Sequence, residues 1–321
     1  MFIKISSVAC VLFLSVCGCQ ATKKSSSFTL YHCSLRPTTG FNDLCGEPVF
    51  KFDPMDPRLP LDPHFAFSAM QNTDGTDPIP LTPEICEENP DSLLATWANP
   101  DFYIPNGFPL PDPRLLNVPY NQVPVVVNEA GLRAQVLDED DPEVTRPLPP
   151  VRSIPNEADT IESFTGVSGR SVIKCFENGD AQVEILGSGY PPNAILTVWL
   201  VWQTAPDSGL PPIIPQPLGG VPNAVAADPS GYFAFNRDLN FCPFEKQNGN
   251  IPLTIDIANH LDGNTYGSVP EVPLANITFV DPTDPSGPTI TSQGIGAGMM
   301  TADQGIIPLL ASPESCRRYV Y

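Results

Sequence analysis

Cysteine is the residue type in this sequence whose number and spacing most clearly indicate a chemistry. Three of the nine cysteines lie in the first nineteen residues, and six lie in the rest of the chain. Those six are Cys33, Cys45, Cys86, Cys175, Cys242 and Cys316. Zinc sites usually contain closely spaced ligand pairs, whereas the nearest two of the six, Cys33 and Cys45, have eleven residues between them. We therefore predict three disulfides in an oxidising compartment, for which six cysteines allow 15 pairings.

Catalytic motifs are missing from the chain. The segment from Gly166 to Arg170 contains Ser168 but lacks the second glycine of a nucleophile elbow at the right place, and it precedes a predicted strand instead of a helix. No Walker loop, dinucleotide-binding glycine motif or H-E-x-x-H motif occurs. We therefore predict a non-enzymatic protein without cofactor or metal. Because two carboxylates placed for glycoside hydrolysis leave no sequence signature, a hydrolase with dispersed carboxylates, extracellular or periplasmic, is the alternative.

One acidic block raises the question of calcium. Asp138, Glu139, Asp140 and Asp141 are consecutive, and clustered carboxylates suit hard cations. The alternating ligand spacing and the glycine of a known calcium loop are absent, and like-charged blocks are usually solvated linkers. We interpret residues 135–164 as an acidic linker, and the sequence leaves calcium binding open.

The N-terminus indicates the compartment. Lys4 precedes an apolar run of about ten residues, which is too short to span a bilayer, so residues 1–18 are predicted to be an export signal. The run ends in Val16-Cys17-Gly18-Cys19, which resembles the lipobox of bacterial lipoproteins. The resemblance implies that the thiol of Cys19 carries a diacylglycerol. Cys17 departs from the residues usual at its place, and cleavage after Ala21 would instead release the protein.

The lipoprotein resemblance also implies a location. Residues 19–28 would form a short tether, and Gln20 after the acceptor favours the outer membrane or cell surface; a secreted or periplasmic soluble protein is the alternative. The formal charge of −20 opposes binding to nucleic acid or to anionic lipid head groups. We therefore expect the membrane to be a partner only through the lipid, with a protein or glycan of the cell envelope as a further partner.

Proline dominates the first part of the chain. The chain contains 40 Pro and 23 Gly, which excludes long helices over most of its length. Residues 29–134 are predicted to form an irregular arm, draped on a later domain, that begins with a short strand from Phe28 to His32. A local disulfide would close the loop from Cys33 to Cys45. One or two helical turns are expected from Pro90 to Ala98, and a strand from Pro124 to Val127.

The strand-like segments of residues 165–281 predict an antiparallel β-sandwich of about seven strands. The segment from Ile195 to Trp202 is almost wholly apolar, which predicts a central strand covered on both faces. From Ile251 to Ile257 apolar and polar residues alternate, which predicts one solvated face. Including these two, strands are expected at 171–176, 181–188, 195–203, 232–236, 252–258 and 274–280.

The order of cysteine and tryptophan in this domain resembles that of an immunoglobulin-like sandwich. Cys175 and Cys242 lie at the ends of the first and fourth predicted strands, with Trp199 and Trp202 between them. The resemblance implies a disulfide between Cys175 and Cys242. The tryptophans lie late and Asn240 occupies the place of the tyrosine corner, so the likeness is one of architecture only.

The longest predicted connection in the domain runs from Thr204 to Gly231 and carries seven prolines. A structureless loop of this length is usually functional or disordered. Its apolar tip is our candidate contact surface: Pro211, Pro212, Ile213 and Ile214. Residues 282–321 are predicted to form a Gly/Pro-rich tail that a disulfide of Cys316 pins back. The sequence thus predicts an exported, lipid-anchored, mainly β envelope protein with a non-catalytic binding or structural role.

Overall fold

A computed structural model describes thirteen segments of the chain. They are residues 27–51, 58, 68–97, 116–120, 135–137, 145–147, 159–210, 212–220, 222–261, 276–280, 289–293, 301–310 and 315–321. The signal segment, Cys19, the acidic block from Asp138 to Asp141 and the strand predicted at Pro124–Val127 lie outside these residues.

The described residues form short helices and many strands, and the protein is mainly β. The helices are α1 (Pro83–Glu88) and α2 (Ile161–Thr165). The strands are β1 (Phe28–Pro37), β2 (Asp43–Leu44), β3 (Glu47–Pro48), β4 (Ser68–Met70), β5 (Ile79–Pro80), β6 (Leu94–Thr96), β7 (Gln135–Leu137), β8 (Thr145–Pro147), β9 (Ser168–Phe176), β10 (Ala181–Ser188), β11 (Ile195–Gln203), β12 (Ile213–Pro217), β13 (Ala224–Ala226), β14 (Phe233–Leu239), β15 (Ile251–His260), β16 (Asn276–Val280), β17 (Thr289–Gln293), β18 (Thr301–Pro308) and β19 (Cys316–Val320).

Ten strands form one antiparallel sheet that curls like half of a barrel. Its order is β12-β11-β15-β18-β1-β9-β10-β14, with β13 paired to β11 and β19 paired to β1. β1 joins two parts of the sheet, because Phe28 to Leu35 pair with β9 whereas Arg36 and Pro37 pair with β18. We call β19, β1, β9, β10 and β14 the open half, and β18, β15, β11, β12 and β13 the covered half.

The two halves share one hydrophobic core. Ile173 and Ile185 of the open half lie in the same cluster as Leu200 and Ile255 of the covered half, and all four are at most 1% exposed. The burial of these aliphatic side chains away from water is favourable and holds the two halves of the sheet together.

Strand patterns explain which faces are buried. In β10 buried and more exposed residues alternate, so that one face lies on the core and the other faces solvent. All nine residues of β11 are buried, which confirms the prediction of a central strand covered on both faces. The predicted solvated face of β15 is wrong, because Thr254 and Asp256 are at most 3% exposed. Their polar groups are satisfied internally, since Thr254 Oγ1 donates to Asp256 Oδ1 at 2.9 Å.

Part of the N-terminal segment packs on the outer face of the covered half, and we call this segment, residues 38–50, the cover. Phe41, Val49 and Phe50 pack on Val201 and Leu253 at the outer face of the covered half. Within the cover, the side chain of Asn42 forms two hydrogen bonds with the backbone of Phe50. Its Nδ2 donates to the carbonyl of Phe50 and its Oδ1 accepts from the Phe50 amide, each at 2.9 Å. The residues of the cover contribute apolar area to the sheet and make their own hydrogen bonds.

The three predicted disulfides are present, and one expected pairing is wrong. Cys175 pairs with Cys242, and Cys316 does fasten the C-terminal strand. Cys33 does not pair with Cys45, because β1 continues through Cys33 and the sheet register places it opposite Cys316, with 4.0 Å between the Cα atoms. Cys45 instead pairs with Cys86 and ties the cover to α1.

Several local expectations are also corrected. The helical turn lies at α1, where Thr82 Oγ1 accepts from the Ile85 amide and Pro83 occupies the first turn, whereas the segment predicted to be helical contains β6. The connection from Thr204 to Gly231 is not structureless, because it contains β12 and β13. Prolines are tolerated in β12 because it is an edge strand.

The main sheet also differs in membership from the predicted sandwich. Three of its strands, β1, β18 and β19, lie outside residues 165–281. The strand predicted at 274–280 appears as β16, which pairs with β17 in a separate two-stranded sheet. These pairings join segments far apart in the chain, which local patterns do not indicate.

Candidate binding surface

The open half leaves its outer face uncovered, and the strand register fixes which side chains lie together there. We call the outward side chains of the open half the open face. One row across it contains Tyr319, Leu30, Lys174, Gln182 and Asp238, one residue from each of the five strands. Side chains paired in this way lie about 5 Å apart at Cβ, so the row is a continuous strip of contacting groups.

The next row has a similar mixed character. It contains Arg317, His32, Val172, Glu184 and Asn236. Arg317, His32 and Glu184 are exposed, and Val172 and Asn236 are partly buried. The two rows together place cations at the β19 and β9 side and carboxylates with amides at the β10 and β14 side.

A shallow groove of about 540 Å³ lies on this face. Its lining includes two carboxylates, two amides, one lysine and two aliphatic side chains of the rows above. The carboxylates, Glu184 and Asp238, are both exposed. Such a set offers both donors and acceptors with apolar groups between them, as a ligand rich in hydroxyl groups requires.

Gly219 shapes one end of the groove. Its φ of +72° is a backbone conformation that side-chain-bearing residues rarely adopt. A Cβ at this position would lie 3.0 Å from Cδ of Arg237, whose guanidinium donates to the carbonyl of Pro222. The turn therefore needs glycine for its backbone and for the space that Arg237 occupies.

Aromatic rings border the groove at the β19 side. Tyr321 stacks on Phe28 with 5.2 Å between ring centroids, and Tyr319 meets His32 edge to face at 5.3 Å. Lys174 Nζ lies 4.1 Å from the centroid of Phe28, a cation–π contact. Tyr319 and Tyr321 nevertheless remain 41% and 63% exposed, so parts of both rings are available to a ligand.

The covered half holds its polar groups differently. The indole Nε1 of Trp199 donates to Thr197 Oγ1 at 2.8 Å, and that oxygen lies 2.8 Å from Nε2 of His260. The three residues are at most 4% exposed. This hydrogen-bonded chain pairs buried polar groups of the covered half with one another, away from solvent.

Chemistry elsewhere in the described part of the chain is limited. Burial raises the pKa of Tyr190 far above its ordinary value, which keeps its phenol neutral in the core. The described residues include no group of three or more His, Cys, Asp or Glu side chains arranged to hold a metal ion. Among the described helices, none combines the length and apolarity needed to cross a membrane.

The predicted contact loop lies elsewhere. Ile213 and Ile214 belong to β12, where they pair with Gln203 and Trp202 and are partly buried. Pro212 is also partly buried, and Pro211 lies outside the described residues. Nearby Leu210 is 50% exposed. Contact through this segment stays a prediction.

Sequence reasoning missed the open face because its residues belong to strands that are distant in the chain. The alternation within β9 and β10 does indicate which of their side chains point outward. The contribution of β19 depends on its pairing with β1, 283 residues away at the disulfide Cys33–Cys316.

Comparison with protein-family models, curated proteins and solved structures finds no match to this chain.

Proposed function

We propose that this chain is an exported, lipid-anchored protein of the cell envelope that binds another envelope component, a protein or a glycan, through its open face. The observation that carries the binding role is the contrast between the two outer faces of one sheet. One is sealed by the cover, whereas the other exposes a groove with two tyrosines beside it. Exposed aromatic residues at a polar groove are characteristic of binding surfaces.

The anchor follows from the N-terminal sequence and agrees with the cysteine chemistry. Disulfides form and persist in oxidising compartments, and the described part of the chain contains three of them. Acylation of Cys19 would hold the protein at the outer membrane or cell surface, and the tether 19–28 would connect the lipid to β1. The membrane is a partner through this lipid alone.

We further propose that the curled sheet is immunoglobulin-like in architecture. Its support is a shared core between two halves of a sheet, with β1 passing from one half to the other. The Cys175–Cys242 disulfide is buried in that core, as the resemblance implies.

A non-catalytic role fits the groove better than hydrolysis. Glu184 and Asp238 lie on neighbouring strands, but both are exposed to solvent. A general acid in a glycoside hydrolase has its pKa raised, commonly by burial. Exposed carboxylates are instead suited to accept hydrogen bonds from the hydroxyl or amide groups of a ligand.

The intact mass of the mature protein extracted from membranes tests the anchor. We expect the mass of the chain from Cys19 with acyl groups and without three pairs of thiol protons. A Cys19→Ser variant provides the control, because it should lose the acyl mass and leave the membrane fraction. A wild-type protein that carries no acyl chains would contradict the anchor.

A further inference from the structure

The charge of the chain is distributed unevenly over the sheet. β1, β9 and β19 are neighbours, ten, nine and five residues long, and carry five of the chain's 16 Lys and Arg residues with no Asp or Glu. The five are Arg36, Arg170, Lys174, Arg317 and Arg318. The protein as a whole has a formal charge of −20, whereas these three adjacent strands are positively charged.

These cations have few partners in the protein. Within the described part of the chain, none of the five forms an ion pair, and the Lys174 ammonium contacts only the rings of Phe28 and Phe176, at 4.1 Å and 4.8 Å from their centroids. Arg170, Arg317 and Arg318 are exposed. Their donors are therefore available to a ligand.

Four of the cations share a face with the tyrosines. Arg317 pairs with His32 of β1, and the next residue of β1, Cys33, points into the core. Because side chains alternate along a strand, His32 and Arg317 point outward. Arg317, Lys174, Arg170 and Arg36 alternate with core residues in their strands and therefore belong to the open face. Arg318 lies on the other side of β19. The result is a basic strip, β19-β1-β9, that meets the groove at Lys174.

We propose that the basic strip and the groove together bind an anionic polysaccharide, one whose sugars carry carboxylate or sulfate groups. This inference rests on the proposed binding role of the open face and names its ligand. Guanidinium groups match the planar geometry of carboxylates and form strong charge-assisted hydrogen bonds with carboxylates and sulfates. The exposed tyrosine rings offer apolar surface for the C–H faces of sugars, and the amides and carboxylates of β10 and β14 take their hydroxyl groups.

The position of the cations favours a polysaccharide over an acidic peptide. A peptide that adds as a strand would pair with the backbone of the edge strand β19. Lys174 and Arg170 lie in β9, two strands further into the sheet, about 10 Å from such an edge. A flexible, charged chain laid across the open face reaches all three strands.

The surroundings of the strip also oppose binding to an anionic membrane surface. The exposed carboxylates of Glu184 and Asp238 lie on the same face, and the net charge of the chain is strongly negative. A flat anionic surface would meet these carboxylates together with the cations, and like charges repel. A narrow polymer can follow the basic strip without meeting them.

The test is direct binding of the full chain, in detergent, to polygalacturonate and to dextran sulfate, with neutral dextran as the uncharged comparison. Calorimetry at about 50 mM salt, where charges are weakly screened, should detect binding to at least one of the two anionic polymers and not to dextran. The double variant Lys174→Gln with Arg317→Gln should lose about tenfold or more in affinity. Lys246→Gln, the same change at an exposed loop lysine outside the strip, should leave the affinity unchanged.

Folding of each variant is checked by its unfolding midpoint, because side chains on an exposed face contribute little to stability. Failure of both anionic polymers to bind, or equal affinity for dextran, would overturn the proposal. The proposal would also be overturned if vesicles rich in anionic lipid, or poly-glutamate, bound more tightly than polygalacturonate and dextran sulfate. Binding of dextran that Tyr319→Ala abolishes would overturn the anionic ligand while leaving the open face as the binding surface of the proposed function.

Discussion

The two halves of the curled sheet have the same antiparallel pairing and share one core, but the outer face is buried in one half and exposed in the other. In the covered half, Thr197, Thr254 and Asp256 are buried with at most 3% exposure, and their hydrogen bonds are to protein groups. In the open half, outward residues such as Gln182 and Glu184 are exposed. The polar groups of one half stabilise the fold, whereas those of the other half are available to a ligand.

This difference shows that a strand's own pattern does not decide what covers it. β15 alternates apolar and polar residues as a half-solvated strand does, yet both of its faces are buried, the inner one on the shared core and the outer one, at Leu253, under the cover. β10 alternates in a similar way and keeps one solvated face. A distant segment, residues 38–50, contributes to this difference by packing on Leu253.

The largest expected contrast between the halves comes from truncating a leucine. Leu200→Ala in β11 removes a side chain that is 1% exposed in the shared core, so we expect the free energy of unfolding to fall by about 2–5 kcal/mol. Leu30→Ala on the open face should cost about 1 kcal/mol or less. Urea unfolding of both variants measures the difference. Equal losses would mean that the open face is covered in solution.

The second contrast concerns the cover. Replacing Cys45 and Cys86 by serine removes the disulfide that fastens it, and should cost about 2–4 kcal/mol. Hydrogen exchange should rise at the amides of Val49 and Phe50, which bond to Asn42, and stay unchanged in β9 and β10. Faster exchange spread evenly over both halves would show that the cover is not a separate layer.

The third contrast compares one polar group from each half. Thr197→Val leaves the indole N–H of Trp199 buried without its acceptor, which should cost about 1–3 kcal/mol. Gln182→Ala on the open face should change stability by no more than about 0.5 kcal/mol. Thermal unfolding of the two variants measures both effects. A neutral Thr197→Val would indicate that another group or water takes the indole hydrogen bond.

The smallest effect is expected at the turn that connects the halves between β13 and β14. Hydrogen bonds from the Ser230 side chain and the Tyr232 amide hold the pKa of Asp228 below its ordinary value of 3.8. A carboxyl with a lowered pKa in the folded state contributes stability above the unfolded value, and this contribution is lost as pH falls through the folded pKa. We therefore expect Asp228→Asn to have a lower unfolding midpoint than wild type above about pH 4. At lower pH the midpoints of the two proteins should converge.

An NMR titration of the Asp228 carboxyl measures the pKa itself. The serine and tyrosine donors come from the same turn, so Ser230→Ala should bring the pKa back toward 3.8. A wild-type pKa above 3.8 would contradict the hydrogen bonding seen in the turn.

Local features of the fold were predictable where the signal is local. The bounds of β10 and β11 agree with their patterns, and the burial of both faces of β11 follows from its apolar composition. The even count of six cysteines indicated three disulfides. In each case neighbouring residues carry the information.

Long-range features were not predictable. Cys33 has Cys45 nearby in sequence, but its partner is Cys316, 283 residues away, because the register of β1 with β19 brings them together. The basic strip depends on the same pairing, since β19 with Arg317 and β9 with Lys174 are joined only through β1. Strand pairing over such distances depends on the packed core, and a pattern within one strand does not specify it.

The central claim, that the open face is the binding surface, is tested most directly by tyrosine labelling of the full chain in envelope fractions and after purification. Tyr319, Tyr321 and Tyr232 are all at least 41% exposed, and Tyr232 lies in the turn before β14, away from the basic strip. We expect all three to be labelled in the purified protein, and Tyr319 and Tyr321 to be protected in the envelope while Tyr232 is not. Equal labelling of Tyr319 and Tyr321 in both states would contradict the claim.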